Sequence, residues 1–165
     1  QKMIKDQRDI VNDRRDTLLD TSAAWDDLSY HNVDRAAELK KQGISEEVLE
    51  QAAREIMLFH LDHEWSEHLA LMDDVRESIH LRAIARETPI DEYHRIAVRE
   101  FKDLANRAVD KAVETFGSVT IDEEGAHLAD AGWKRPSSTW TYMVSDNPLA
   151  GSGNSVISGI GNIFR

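Results

Sequence analysis

The sequence predicts an all-α protein: the end of one long helix, a long antiparallel two-helix hairpin, and a mostly irregular C-terminal tail. Three observations lead there. Apolar residues recur at helical spacing over most of the chain, capping signals divide that pattern into segments, and beyond Gly117 the period gives way to Ser, Gly, Asn and Pro.

The first helix is expected over residues 1–20, where Met3/Ile4, Ile10/Val11 and Leu18/Leu19 recur every seven or eight positions and leave one apolar stripe. The chain opens at Gln1 already inside that pattern, which predicts a piece of a longer polypeptide. "DTSAAWDDLSYHN" interrupts the stripe, and residues 21–45 read as a short linking segment. Within it a short helix is expected, capped by Asn32, with Lys40 and Lys41 suiting its negative end and Gly43 stopping it.

Ser45 caps the next helix, and Glu46 and Glu47 favour its positive end. Leu61, Trp65, Leu69, Met72, Val75 and Ile79 step by four or three along one face, predicting a helix to about Leu81. At 1.5 Å per residue it would run roughly 54 Å. Thr88-Pro89-Ile90-Asp91 is a restart signal, with a Thr cap, Pro at the first helical position and an acid three residues after the cap. From there Ile90, Tyr93, Ala97, Phe101, Leu104, Ala108 and Ala112 share a face, and the helix is expected to end near Phe116-Gly117. Two long amphipathic helices joined by a few residues bury both stripes only by packing antiparallel, so residues 46–117 form the hairpin. Residues 118–165 read as tail, partly irregular, with a short alternating piece around Trp140 and Tyr142.

Twenty basic against thirty-one acidic side chains give a net charge of −11. That balance argues against nucleic acid, where Lys and Arg on phosphates supply most of the affinity. The stretch from Lys134 on reverses the sign, with Lys134, Arg135 and Arg165 against Asp146. Without cysteine there is no disulfide, thiolate ligand or thiol nucleophile in these residues. No window approaches the roughly 20 apolar residues of a membrane span, so a membrane would be met peripherally or through a partner.

Several patterns invite chemistry. In "HLDHEWSEH", His63 and His68 are five residues apart and so miss the i, i+4 spacing of a zinc-protease helix, whereas His60, Glu64 and His68 share a face. Glu77/His80 and Asp91/His94 form acid–histidine pairs like those of di-iron bundles, with Asp in place of one Glu. "GSGNSVISGIG" lacks the Gly-Lys-Ser/Thr ending of a phosphate-binding loop. The expectation is no metal, cofactor or catalytic residue here. The turn differs: in "IHLRAIAR" the apolar Ile84 stands between Arg82 and Arg86 on a protrusion, a composition suited to contact with a partner or passing chain.

Residues 61–95, "LDHEWSEHLALMDDVRESIHLRAIARETPIDEYHR", resemble the two-helix finger of SecA, the ATP-driven motor family of bacterial protein export. The resemblance rests on Leu61-Asp62, Trp65, Glu67-His68-Leu69, Met72-Asp73, Arg76, Ile79-His80-Leu81-Arg82, Pro89 and Glu92-Tyr93. "QRDIVNDRRDTLLD", Gln7 to Asp20, is similar to the end of that family's long scaffold helix. Residues 1–20 would then be the end of the scaffold helix, 46–117 the finger and 118–165 the C-terminal tail. The 25 or so residues 21–45 stand where the housekeeping members have a sizeable helical wing. That shortening, the missing cysteine-rich zinc tail and "TWTYMVSDNP" resemble the accessory, second SecA group of actinobacteria.

The resemblance implies that Arg82, Ala83, Ile84 and Arg86 are the finger tip, reaching toward the mouth of the SecYEG channel and the preprotein in it. The family often has tyrosine and glycine where this chain has Ile84 and Ala83, so the contact would be made by apolar surface. ATP and Mg²⁺ would be held by the remaining motor domains of a full-length chain. The location implied is cytoplasmic, peripheral to the inner face of the plasma membrane. Two other readings compete: a stand-alone helical-hairpin interaction module without ATPase activity, and a small metal-dependent helical enzyme using His60, Glu64 and His68 or the turn pairs.

Overall fold

The computed structural model describes residues 2–82 and 89–133, with the side chains of His80, Arg82 and Pro89 outside that description. The expected tail from Lys134 on, including the piece around Trp140 and Tyr142, lies outside the described residues. The described part is mostly helical and contains the helical hairpin.

Helix α1, Lys2–Asp20, buries Gln7, Val11, Arg15 and Leu18. Helix α2, Ala23–His31, occupies the stretch where the apolar period breaks. It is only nine residues long and is seated by Ala24, Trp25 and Leu28, all buried, while its Asp26 and Asp27 obscure the pattern. Trp25 meets Phe116 edge to face with ring centres 5.8 Å apart. Helix α3, Val33–Lys41, starts as its cap predicts: Asn32 Oδ1 accepts from the Arg35 N–H at 3.1 Å. Gly43 follows at φ +81°, the left-handed conformation that stops a helix.

Helix α4, Glu46–Arg82, runs unbroken for 37 residues, with Ser45 Oγ accepting from the Val48 N–H at 3.3 Å. The return arm starts at Pro89, as the restart signal predicts, but is not the single helix expected. It divides into α5, Pro89–Lys102, and α6, Leu104–Ser118, at Asp103, whose φ −97° and ψ −2° sit at the edge of the right-handed helical region. Arg107 spans the break, donating from Nη2 to the Glu100 carbonyl at 3.2 Å and from Nε to Glu64 Oε2 at 3.3 Å.

Pairings across the hairpin fix its sense. His60 lies by Thr115, Glu64 by Lys111 and Trp65 by Phe101, so numbers rise on one arm as they fall on the other. Helix α1 runs antiparallel to α4 as well, with Arg15 paired to Asp62 and Gln7 to His68.

Apolar packing forms two groups. The larger joins α1 to α4 with α6 and includes Leu28, Leu39, Ile56, Leu58, Trp65 and Phe116. The smaller gathers Met72, Ile79, Tyr93 and Ala97 nearer the turn, with Met3 and Ile4 of α1 against them. Ile90, expected on the buried stripe, is instead 62% exposed, because among the described residues this second group ends at Ile79 and Tyr93.

After α6 the chain makes a minimal antiparallel ladder, β1 (Ile121–Asp122) against β2 (Gly125–Ala126), pairing Ile121 with Ala126. The stretch then folds back on α4. Leu128 is buried, and the Trp133 ring lies 4.8 Å from His60 and 5.4 Å from Phe59. This part of the partly irregular tail is docked on α4.

Candidate functional site

Of the residues the sequence assigns to the tip, Arg82 is the last of α4. Ala83, Ile84, Arg86 and the Arg82 side chain lie outside the described residues. Leu81 is 74% exposed and Ile90 62%, so large apolar side chains flank the turn on both arms. Sequence reasoning put Ile90 in the core and assigned Leu81 no role. A signal for Leu81 was present: it is two residues, or about 200° of helix, beyond the buried Ile79, so it falls off the apolar stripe.

The metal-like patterns have other employment. His60 is fully buried, and its Nε2 shares a 2.7 Å hydrogen bond with Thr115 Oγ1. Glu64 takes Lys111 Nζ at 2.5 Å and Arg107 Nε at 3.3 Å, two cations that oppose a metal ion there. Burial alone would raise its pKa, but the hydrogen bonds and charge of Lys111 and then Arg107 outweigh it and hold the carboxylate below its usual range. His68 Nε2 lies 2.8 Å from Gln7 Oε1. Of the turn pairs, Glu77, Asp91 and His94 are exposed rather than turned into the bundle, as a di-iron site requires.

Both histidines are kept neutral. Burial, then His63 and Lys111, push His60 down to about 4 against the pull of Glu64. Burial and then Arg107 lower His68 against Glu100. Among the described residues, three carboxylate and imidazole side chains with atoms all within 4.8 Å of one another gather at Asp122, Glu124 and His127. There Asp122 Oδ2 already pairs with His127 Nε2 at 2.7 Å and Oδ1 accepts the Glu124 N–H at 2.8 Å, closing the β1–β2 turn.

Behind the turn, α1 meets the hairpin through a seam that is half polar. Arg15 and Asp62 form an ion pair with side chains 2% and 7% exposed. Burial pulls the Arg15 guanidinium down to about 10 against the charge of Asp16, leaving it cationic at neutral pH. The Arg8 guanidinium lies 5.9 Å from the centre of the Trp65 ring. None of these contacts was anticipated from the sequence. The hint was polar residues at core spacing, Gln7 and Arg15 falling in line with Ile4, Val11 and Leu18.

The family described as the SecA Wing and Scaffold domain matches residues 23–120. The chain is 75% identical over 164 residues to a protein translocase subunit SecA 2 of Corynebacterium jeikeium and 74% identical to one of Corynebacterium glutamicum. It is 46% identical over 168 residues to a SecA 2 of Mycolicibacterium smegmatis. Each match covers 99% of this chain and 21% of the relative, so the chain spans about a fifth of the length of the curated relatives it matches. Likeness this dense, running through α1, the short helices, both hairpin arms and the tail, has one conclusion: the chain belongs to the SecA wing and scaffold family.

Proposed function

We propose that this chain is the scaffold-and-finger portion of an ATP-driven motor that moves preproteins through the SecYEG channel in an accessory export pathway. In that reading residues 1–20 end the scaffold helix, 21–45 replace a larger wing, 46–117 are the finger and 118–165 the C-terminal tail. The finger tip, Arg82, Ala83, Ile84 and Arg86, contacts the channel or the preprotein, and Leu81 and Ile90 extend the same apolar surface along both arms. ATP and Mg²⁺ belong to the remaining motor domains of the full-length chain. The motor works in the cytoplasm, held peripherally at the inner face of the plasma membrane; no described helix is long and apolar enough to cross one.

The observation that carries this reading is the exposure of Leu81 and Ile90 beside the turn, in a chain whose relatives are named translocase subunits. Exposed leucine and isoleucine on a protrusion contribute nothing to its fold, and they suit transient, sequence-tolerant contact with an unfolded polypeptide. The test is Ile84→Asp in the full-length protein, with Leu81→Asp and Ile90→Asp beside it. Export should fall while ATP hydrolysis and folding persist; unchanged secretion in all three would remove the tip from the mechanism. The native size separates this reading from a stand-alone hairpin module. An antibody to residues 1–117 should detect a band several-fold larger than 18.7 kDa, and a band near that size would sink the motor reading.

A further inference from the structure

Gln7 is 4% exposed and uses both ends of its amide. Its Nε2 donates to the Ala97 carbonyl on α5 at 3.1 Å, and its Oε1 lies 2.8 Å from His68 Nε2 on α4. The Ala97 carbonyl can only accept, so the Gln7 nitrogen must face it. The amide oxygen then faces His68, whose Nε2 must bear the proton. One side chain of α1 thereby grips both arms of the hairpin in a single orientation.

The surrounding packing gives that grip its importance. The apolar group nearest the turn meets the main core through Ile4 of α1, which packs against both, and α1 supplies Met3 to it as well. On the return arm, the break at Asp103 divides the segment that includes Tyr93 and Ala97 from α6. An apolar side chain at position 7 would tolerate sliding, whereas a buried polar group with two directed bonds satisfies only one register, at some cost in adhesion.

We propose that Gln7 is a register lock that couples α1 to the turn-bearing half of the hairpin, so that this half moves with α1 rather than with α6. The lock goes beyond the proposed function and stands on these contacts whether or not the chain moves preproteins.

Amide hydrogen exchange on the full-length polypeptide tests it, comparing Gln7→Leu with the parent. Losing two buried hydrogen bonds should speed exchange roughly tenfold at residues 93–101 and 72–80, while 104–116 stay within about twofold. Equal acceleration of both arms would mean that Gln7 merely adds general stability, and no acceleration would mean that it couples nothing; either overturns the lock. Should Gln7→Leu fail to fold, Gln7→Glu keeps an acceptor for His68 but sets a carboxylate oxygen against the Ala97 carbonyl. Exchange should then rise first at residues 93–101, and unchanged protection there would overturn the proposal. Exchange does not depend on transport, so this result is read independently of the export assays.

Discussion

The Arg35 guanidinium, at the start of α3, donates from Nε to the Phe116 carbonyl at the end of α6 across 3.0 Å. Its Nη2 reaches the Val119 carbonyl at 2.6 Å, and Nη1 holds Glu38 at 3.0 Å. One planar cation thus takes up carbonyls where α6 ends and fastens them to a helix more than eighty residues earlier. Arg35→Ala should cost about 1–3 kcal/mol in urea denaturation. Arg35→Lys should recover less than half of that, because an ammonium cannot present the same planar fork.

Arg15 and Asp62 predict non-additivity. Each charge is buried with the other as its counterion, and Arg15 Nε, Arg15 Nη2 and Asp62 Oδ2 have no further hydrogen-bond partner among the described residues. Removing either alone, Arg15→Ala or Asp62→Ala, should cost about 3–5 kcal/mol by stranding a charge. The joint replacement Arg15→Ala with Asp62→Ala should cost much less than the sum. Additive losses in a double-mutant cycle would contradict this account.

Acid sensitivity follows from opposing groups. The folded-state pKa of His60, about 4, lies below its ordinary 6.5, so the unfolded chain takes up that proton first. His60 therefore withdraws stability as pH falls from about 6.5 to 4, on the order of 3 kcal/mol in all. His68, also lowered, acts in the same direction. Glu55 opposes them: burial, against a hydrogen bond from Gln51, raises it to about 7, so it adds stability as pH falls from about 7 toward 4.5. Urea midpoints between pH 7 and 4 should thus drop more steeply in Glu55→Gln than in the parent. Adding His60→Asn to Glu55→Gln should flatten the slope again.

Trp133 links the end of the described chain to the same histidine. Trp133→Ala removes the ring against Phe59 and His60, and should cost about 1–2 kcal/mol. It also admits water to the imidazole, so the His60 pKa followed by NMR should move up toward 6.5. An unmoved pKa would show that α4 and α6 alone keep His60 dry.

The helices were legible wherever caps and period coincide. Asn32 and Ser45 mark starts that the structure reproduces, because a cap is a local bond between a side chain and the next turn, and α5 begins at Pro89, whose fixed φ suits a first helical position. The break at Asp103 was not legible, since the stripe through Phe101, Leu104 and Ala108 passes it in phase and periodicity registers phase alone. Nor was the polar seam: Gln7, Arg15, Asp62 and His68 resemble the solvated face of a charged helix until the helix covering them is in place. The turn drew attention through its composition, whereas the exposure of Ile90 depends on where a non-local apolar layer ends.

The uninterrupted 37 residues of α4 set a mechanical gain. A rod roughly 55 Å long that pivots at one end by about 10° sweeps its far end through nearly 10 Å. The same rotation displaces a side chain one helical turn from the pivot by only about 1 Å.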